Sequence, residues 1–306
     1  METNRVQTEQ HCSQRDQRWR RDYAGIVAGF TQGLLSSFSL PLNELAPLRC
    51  YTGPPQTLPM KLNRQFKPVS MLLVAILVVV TATVSALAEN AGRKIAVISF
   101  GLSSEQTVFR SEAVGAASVV AKRFGGDPVI VQFNTRKSGS ATIEALAATL
   151  ERTGKTIDST TDVLFLFLTS HGSPDGLDVT VGRKRTILTP SRLSDMLERT
   201  GVRYKVVIIS ACYSGVFIPH LATAETLVIT AADANHPSFG CEDRAKWTYF
   251  GDAFFNAALR QSATLRDAFT TARSLILRRE LHNGFEPSHP QMAGGANVEP
   301  LLVLRR

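Results

Sequence analysis

From Lys94 onward, short continuous apolar runs alternate with segments of helical period. Lys94–Phe100 (KIAVISF), Pro128–Phe133, Asp162–Thr169 (DVLFLFLT), Tyr204–Ser210 (YKVVIIS) and Thr226–Ala231 (TLVITA) carry mostly β-branched, aromatic and other apolar residues and read as strands. Helical periodicity fills the intervals at Phe109–Phe124, Ala141–Arg152 and Ser191–Arg199. Ser140 stands where the second of these needs a cap, and Thr189 followed by Pro190 opens the third. Leu177–Leu188 alternates around Gly182 and predicts a small hairpin. Thr248–Arg260 and Thr264–Arg279 read as helices, and Leu301–Leu304 as a last short strand. Strands with no polar face must be covered on both sides. The pattern therefore predicts an α/β domain with a mainly parallel sheet between two layers of helices. Residues 89–306 suit one such domain, with no internal repeat or low-complexity linker.

A different pattern lies upstream. Residues 69–88 (VSMLLVAILVVVTATVSALA) contain no charge. Lys61, Arg64 and Lys67 precede them, and Ala86-Leu87-Ala88 leads into polar Glu89. A basic start, an apolar middle and an A-x-A exit make an export signal, here spanning residues 60–88. Its position inside the chain leaves two readings. In one, translation starts at Met60, and residues 1–59 are an upstream extension of the gene model. In the other, residues 69–88 are an uncleaved anchor, since about 20 apolar residues span a bilayer. Both predict export to a periplasmic or extracellular space, the second with membrane contact. Residues 1–59 show no sustained period and suggest no function.

Composition narrows the class. The chain has 306 residues, 44% hydrophobic and 20% charged, which excludes collagen, a wholly disordered chain, a polytopic membrane protein and a disulfide-dense mini-protein. The net charge of +8 would be notable in a nucleic-acid binder. However, nine of the 34 Lys and Arg and five of the 26 Asp and Glu lie before Glu89, which leaves an excess of four. The remaining positives are scattered pairs and triplets, such as Arg183-Lys184-Arg185, without interleaved aromatics, so no nucleic-acid partner is expected.

Candidate chemistry follows from what succeeds each strand, because open parallel sheets bind ligands beyond their carboxyl ends. Ser170-His171-Gly172-Ser173 follows one apolar strand and Ala211-Cys212-Tyr213-Ser214-Gly215 another. If the two strands are neighbours, about 5 Å apart, imidazole and thiol face one substrate. A thiolate nucleophile needs such a base, which also protonates the leaving amine. Gly172 would let backbone approach the site, with its N–H aimed at an oxyanion. The alternatives are a packed core thiol, or a Cys212–Cys241 disulfide in an oxidising compartment. His220, His236, His282 and His289 lack metal-ligand spacing, and no cofactor or metal is expected. Asp175, Asp178 and Asp233 read as loop carboxylates, and Trp247, Tyr249, Phe250, Phe254 and Phe255 as core.

The combination of FLTSHGSPDGL, VVIISACYSGVF and ITAADANHPSFGCEDRAKWTYFGDAFFNAAL resembles the legumain family of cysteine peptidases, peptidase family C13. The likeness spans roughly Lys94 to Arg260. It implies a caspase-like three-layer fold and metal-free thiol peptidase chemistry on a peptide or protein substrate. His171 matches the family's catalytic histidine and Cys212 its nucleophile, with the N–H groups of Gly172 and Cys212 as oxyanion hole. Arg110 and Asp243 fall where the family's specificity pocket has an Arg and an Asp, which implies cleavage after Asn or Asp. Two positions depart from the family. Ser210 replaces a pocket Glu two residues before the nucleophile, and Val108 replaces an Asn that orients the histidine. The same resemblance admits a transamidase using the same acyl-enzyme. A caspase-like scaffold that only binds is the non-catalytic alternative.

Overall fold

Four of the five apolar runs become the interior of a six-stranded sheet, and the run at Pro128–Phe133 becomes one half-exposed edge. A computed structural model describes residues 92–302; residues 1–59 and the export signal at 60–88 lie outside it. In chain order the elements are β1 (Ile95–Gly101), α1 (Thr107–Phe124), β2 (Val129–Phe133), α2 (Ile143–Thr156), β3 (Val163–Thr169), β4 (Gly172–Ser173), β5 (Gly176–Val181), β6 (Lys184–Leu188), α3 (Pro190–Arg199), β7 (Tyr204–Ser210), α4 (Ile218–Leu221), β8 (Thr226–Thr230), α5 (Tyr249–Gly251), α6 (Leu265–His282) and β9 (Gln291–Gly294). The strand order is β2-β1-β3-β7-β8-β9, parallel except for β9. A small antiparallel sheet, β4-β5-β6, follows the end of β3.

Alternation along the strands divides the core between two faces. Val97, Phe165, Phe167, Ile208 and Ile229 pack with α1, α6 and the aromatic segment Phe250–Phe255. Ile98, Leu164, Leu166, Leu168, Val207 and Ile209 pack with α2 and α3 through Leu146, Leu150, Leu193 and Leu197. The three-layer α/β expectation thus holds; of the aromatic residues expected in the core, Phe250, Phe254 and Phe255 are buried, Trp247 packs half-buried against them, and half-buried Tyr249 lies outside the core with the Arg279 guanidinium over its ring. Thr169 and Ser210 follow Phe167 and Ile208 on the face that α1 covers.

Three local expectations are corrected. Helix α2 is capped by Thr142, whose hydroxyl accepts from Ala145 N, while Ser140 Oγ donates to Phe133 O. Among the described residues the sheet's last strand is Gln291–Gly294; of the strand expected at Leu301–Leu304, Leu301 ends a 3-10 turn, Glu299–Leu301, and residues 303–304 lie outside the described residues. The segment Gln-Met-Ala-Gly has no strand pattern, and pairing with β8 alone makes it extended. The predicted helix at 248–260 starts as α5, capped by Thr248, and continues as π-helix over Asp252–Ala258. No helix among the described residues is long and apolar enough to cross a membrane.

Candidate active site

Strands β3 and β7 are parallel neighbours, with Thr169 opposite Ser210 at their last rung. Two residues further on stand His171 and Cys212. Neighbouring strand ends lie about 5 Å apart, so the topology delivers both groups to one side of the sheet. Ser170 N donates to Ser210 O at 3.2 Å, carrying the pairing one residue past the strands. A Cβ on Gly172 would overlap the carbonyl oxygen of Cys212, so only glycine lets the histidine segment lie this close to the Cys212 backbone.

The imidazole is held from helix α1. His171 Nε2 is 2.6 Å from Gln106 Oε1 and 3.4 Å from a Glu105 carboxylate oxygen. Phe109 presses edge-on against the ring, with centroids 4.9 Å apart. An amide oxygen only accepts, so Nε2 carries the hydrogen and Nδ1 keeps its lone pair. Val108, standing where the family has its orienting Asn, is buried and makes no polar contact with the ring; Gln106, two residues earlier, supplies the partner. The sequence gives no signal for it beyond its place three residues before the predicted helix at Phe109–Phe124.

The thiol sits against a residue that the sequence did not single out. Cys212 Sγ is 3.3 Å from Ser238 O, to which the thiol donates, and 3.3 Å from Ser238 N, which donates to sulfur. The next residue, Tyr213, has φ 55, in the left-handed region that non-glycine residues seldom adopt. This bend turns the chain from β7 into a 3-10 turn at Ser214–Phe217. Tyr213 N donates to His236 O, and the His236 ring is fixed by Asp233 at 2.7 Å. Cys212 and Cys241 are both free thiols. Burial, then the charges of Cys212 and Glu112, push the Cys241 thiol up to about 12, so it stays protonated.

The proposed pocket residues divide. Ser210 is buried and hydrogen-bonds Glu112 and Thr248. Arg110 is exposed, with its guanidinium 4.8 Å from the Phe133 ring centroid. Asp243 accepts from Thr107 N at the start of α1 (3.0 Å) and pairs with Arg136 at 2.8 Å. The Thr107 N–H and the Arg136 guanidinium hold its carboxyl below the usual range. Asp243 therefore bonds Arg136, a residue that the sequence reading passed over. Arg136 also lines an open cavity of about 390 Å³ with Ser104, Glu105, Gly182 and Arg183, beside the histidine's partners. Asp178 is on strand β5 rather than in a loop, buried and paired with Arg185 at 2.5 Å. Among the described residues no group of three or more His, Cys, Asp or Glu could hold a metal ion.

A parallel α/β sheet that presents an imidazole and a thiol from adjacent strand ends belongs to the class of folds able to support thiol acyl-transfer chemistry. The Peptidase C13 family model matches residues 129–295, more than half of the chain, and the protein belongs to that family of cysteine peptidases. Among solved structures, the crystal structure of caspase-1 from Spodoptera frugiperda is similar at 16% identity and a TM-score of 0.46, covering 66% of this chain and 86% of that one. No curated protein matches the chain.

Proposed function

We propose that the protein is an exported cysteine endopeptidase of legumain type. Cys212 is its nucleophile and His171 its base and acid. The single observation that carries the reading is the register pairing of Thr169 with Ser210, which puts His171 and Cys212 at matching positions beyond adjacent strands. The Nδ1 atom takes the thiol proton, and the thiolate attacks the scissile carbonyl carbon. The C–N bond of the tetrahedral intermediate breaks, and the imidazolium returns the proton to the leaving amine. Water then hydrolyses the thioester to a carboxylic acid and the free thiol. The N–H groups of Gly172 and Cys212 serve the oxyanion. An Asn or Asp side chain before the scissile bond would draw on Arg110 and Asp243, with Arg136 added from the contact described above. Export follows from the signal-like segment at 60–88.

The test is cleavage of a peptide library, varied before the scissile bond, by the full chain under reducing conditions from roughly pH 4 to 8. Turnover that disappears in Cys212→Ala, with a thermal midpoint within a few degrees of wild type, is the expected result. Turnover that survives in Cys212→Ala overturns the mechanism.

A further inference from the structure

Behind the catalytic pair lies a carboxylate with no place in the chemistry above. Glu112, on α1, is fully buried. Thr169 Oγ1 donates to its Oε2, and Thr248 Oγ1 (2.5 Å) and Ser210 Oγ (3.3 Å) donate to its Oε1. Thr169 and Ser210 are the register-paired last residues of β3 and β7. Thr248 caps α5, its hydroxyl accepting from Gly251 N. A Cβ on Gly251 would overlap Glu112 Oε1, so that glycine makes room for the carboxylate. Phe109 and Glu112 are spaced by three on α1 and share one side of it, and Gln106 is the extended residue just before its first turn. Gln106 and Phe109 hold His171, and Glu112 ties the strand ends that present both His171 and Cys212.

We propose that Glu112 is a positioning residue: its carboxylate clamps the ends of β3 and β7 together, and so sets the placement of His171 against Cys212. This rests on the reading of that pair as the reacting groups. The clamp depends on protonation. The ionised carboxylate accepts from all three hydroxyls, whereas the neutral acid donates its own proton to one of them and accepts from the other two. Burial pushes the Glu112 carboxyl up to about 7, against the lowering effect of Thr169, Thr248 and Ser210, so the clamp tightens as pH rises through neutrality. The groups facing it are neutral hydroxyls from β3, β7 and the α5 cap, and Gly251. The titratable group that feels its charge is the Cys241 thiol, on the loop before α5.

The experiment compares the full-length wild type, Glu112→Gln and Thr169→Val over roughly pH 5 to 9. It measures peptide turnover and the rate of Cys212 alkylation by iodoacetamide, with Cys212→Ala reporting label on other thiols. Glutamine keeps the shape of the side chain and cannot titrate. The expected wild-type profile carries a step near pH 7 that Glu112→Gln lacks. At the alkaline end kcat in Glu112→Gln falls about tenfold with KM little changed, the size expected for a modest misplacement of reacting groups. Thr169→Val removes one donor to the anion and moves the step to higher pH. This second variant decides the matter should Glu112→Gln fail to fold. Superimposable profiles with equal kcat, or a step unmoved in Thr169→Val, overturn the proposal. Alkylation reads the clamp without any peptide. Silence toward peptides with the step still lost in Glu112→Gln therefore counts against the peptidase reading and for the clamp.

Discussion

Gln106 Oε1 lies 2.6 Å from His171 Nε2, across 65 residues of sequence, and this contact decides which ring nitrogen is free to act as a base. The residue that precedes α1 thereby orients a histidine borne on the loop after β3. Phe109, one turn further along, limits the ring's rotation by edge-on contact.

Replacing that amide tests its role. Gln106→Leu keeps the bulk of the side chain and leaves Nε2 without its acceptor, so the ring is free to take either tautomer. The expected outcome is a fall in kcat of about ten- to a hundredfold, the range in which positioned acid–base catalysis operates, with KM little altered. Steady-state kinetics on a single peptide checks it. An unchanged kcat would show that Glu105 or the Phe109 contact suffices.

Gly172 is the point of closest approach between the two halves of the site. Gly172→Ala drives a methyl group into the Cys212 carbonyl, which is backbone and cannot swing aside. Overpacking of this kind costs about 1–3 kcal/mol. The variant should melt several degrees below wild type and lose turnover, and Cys212 should alkylate at an altered rate. Thermal denaturation and thiol labelling read both effects. A variant with normal activity would place the loop after β3 further from Cys212 than described.

Global stability should fall as pH rises to neutrality, because the ionised Glu112, although it binds its three hydroxyls more tightly, is a buried charge. The folded-state pKa of Glu112 is raised from 4.5 to about 7, so the native state binds this proton more tightly than the unfolded chain. The contribution is fully present below pH 4.5 and is lost as pH passes 7. At 1.36 kcal/mol per unit the loss is on the order of 3 kcal/mol. Carboxyls with lowered values, such as Asp158 and Asp233, act in the opposite direction and only at more acid pH. Urea unfolding at pH 5 and pH 8 should show the decline in wild type and not in Glu112→Gln. Equal declines in both would assign the effect elsewhere.

Asp243 joins Arg136 to the start of α1. Asp243→Ala releases Arg136 and uncaps the Thr107 N–H together. Arg136→Ala removes only the cation. If the pair shapes the pocket, both variants should change the ranking of Asn, Asp, Arg and Ala before the scissile bond, with different patterns. Parallel assays on those four peptides check this, and an unchanged ranking in both removes the pair from specificity.

Much of the architecture was legible in the sequence, because a strand buried on both faces must be apolar at every position and a helix must repeat near 3.6. Those local signatures located β1, β3, β7 and β8 and the three long helices between and after them, while the β-branched run of β2 marked a half-exposed edge strand. They also marked where β3 and β7 end, and so brought His171 and Cys212 into view as residues just past buried strands. The family motifs around them are contiguous, so resemblance could carry both. Strand β9 carries no such signature. Its backbone is extended because β8 offers an edge, which is a property of β8.

What the tertiary structure alone decided is which groups meet. Gln106 with His171, Ser238 with Cys212, Arg136 with Asp243, and Glu112 with Thr169, Ser210 and Thr248 join positions 26 to 136 residues apart. A polar side chain that serves as a partner carries no periodicity, and its neighbours in sequence impose none. Glu112 within an otherwise ordinary helix looks like a solvated charge. It is buried because two strand ends and a capped turn converge on that position with hydroxyls aimed inward. Hydrophobic pattern is set locally, by which side of each element must leave water. Polar partnership is set by where the packed elements happen to bring donors within about 3 Å of an acceptor, and only the folded chain holds that information.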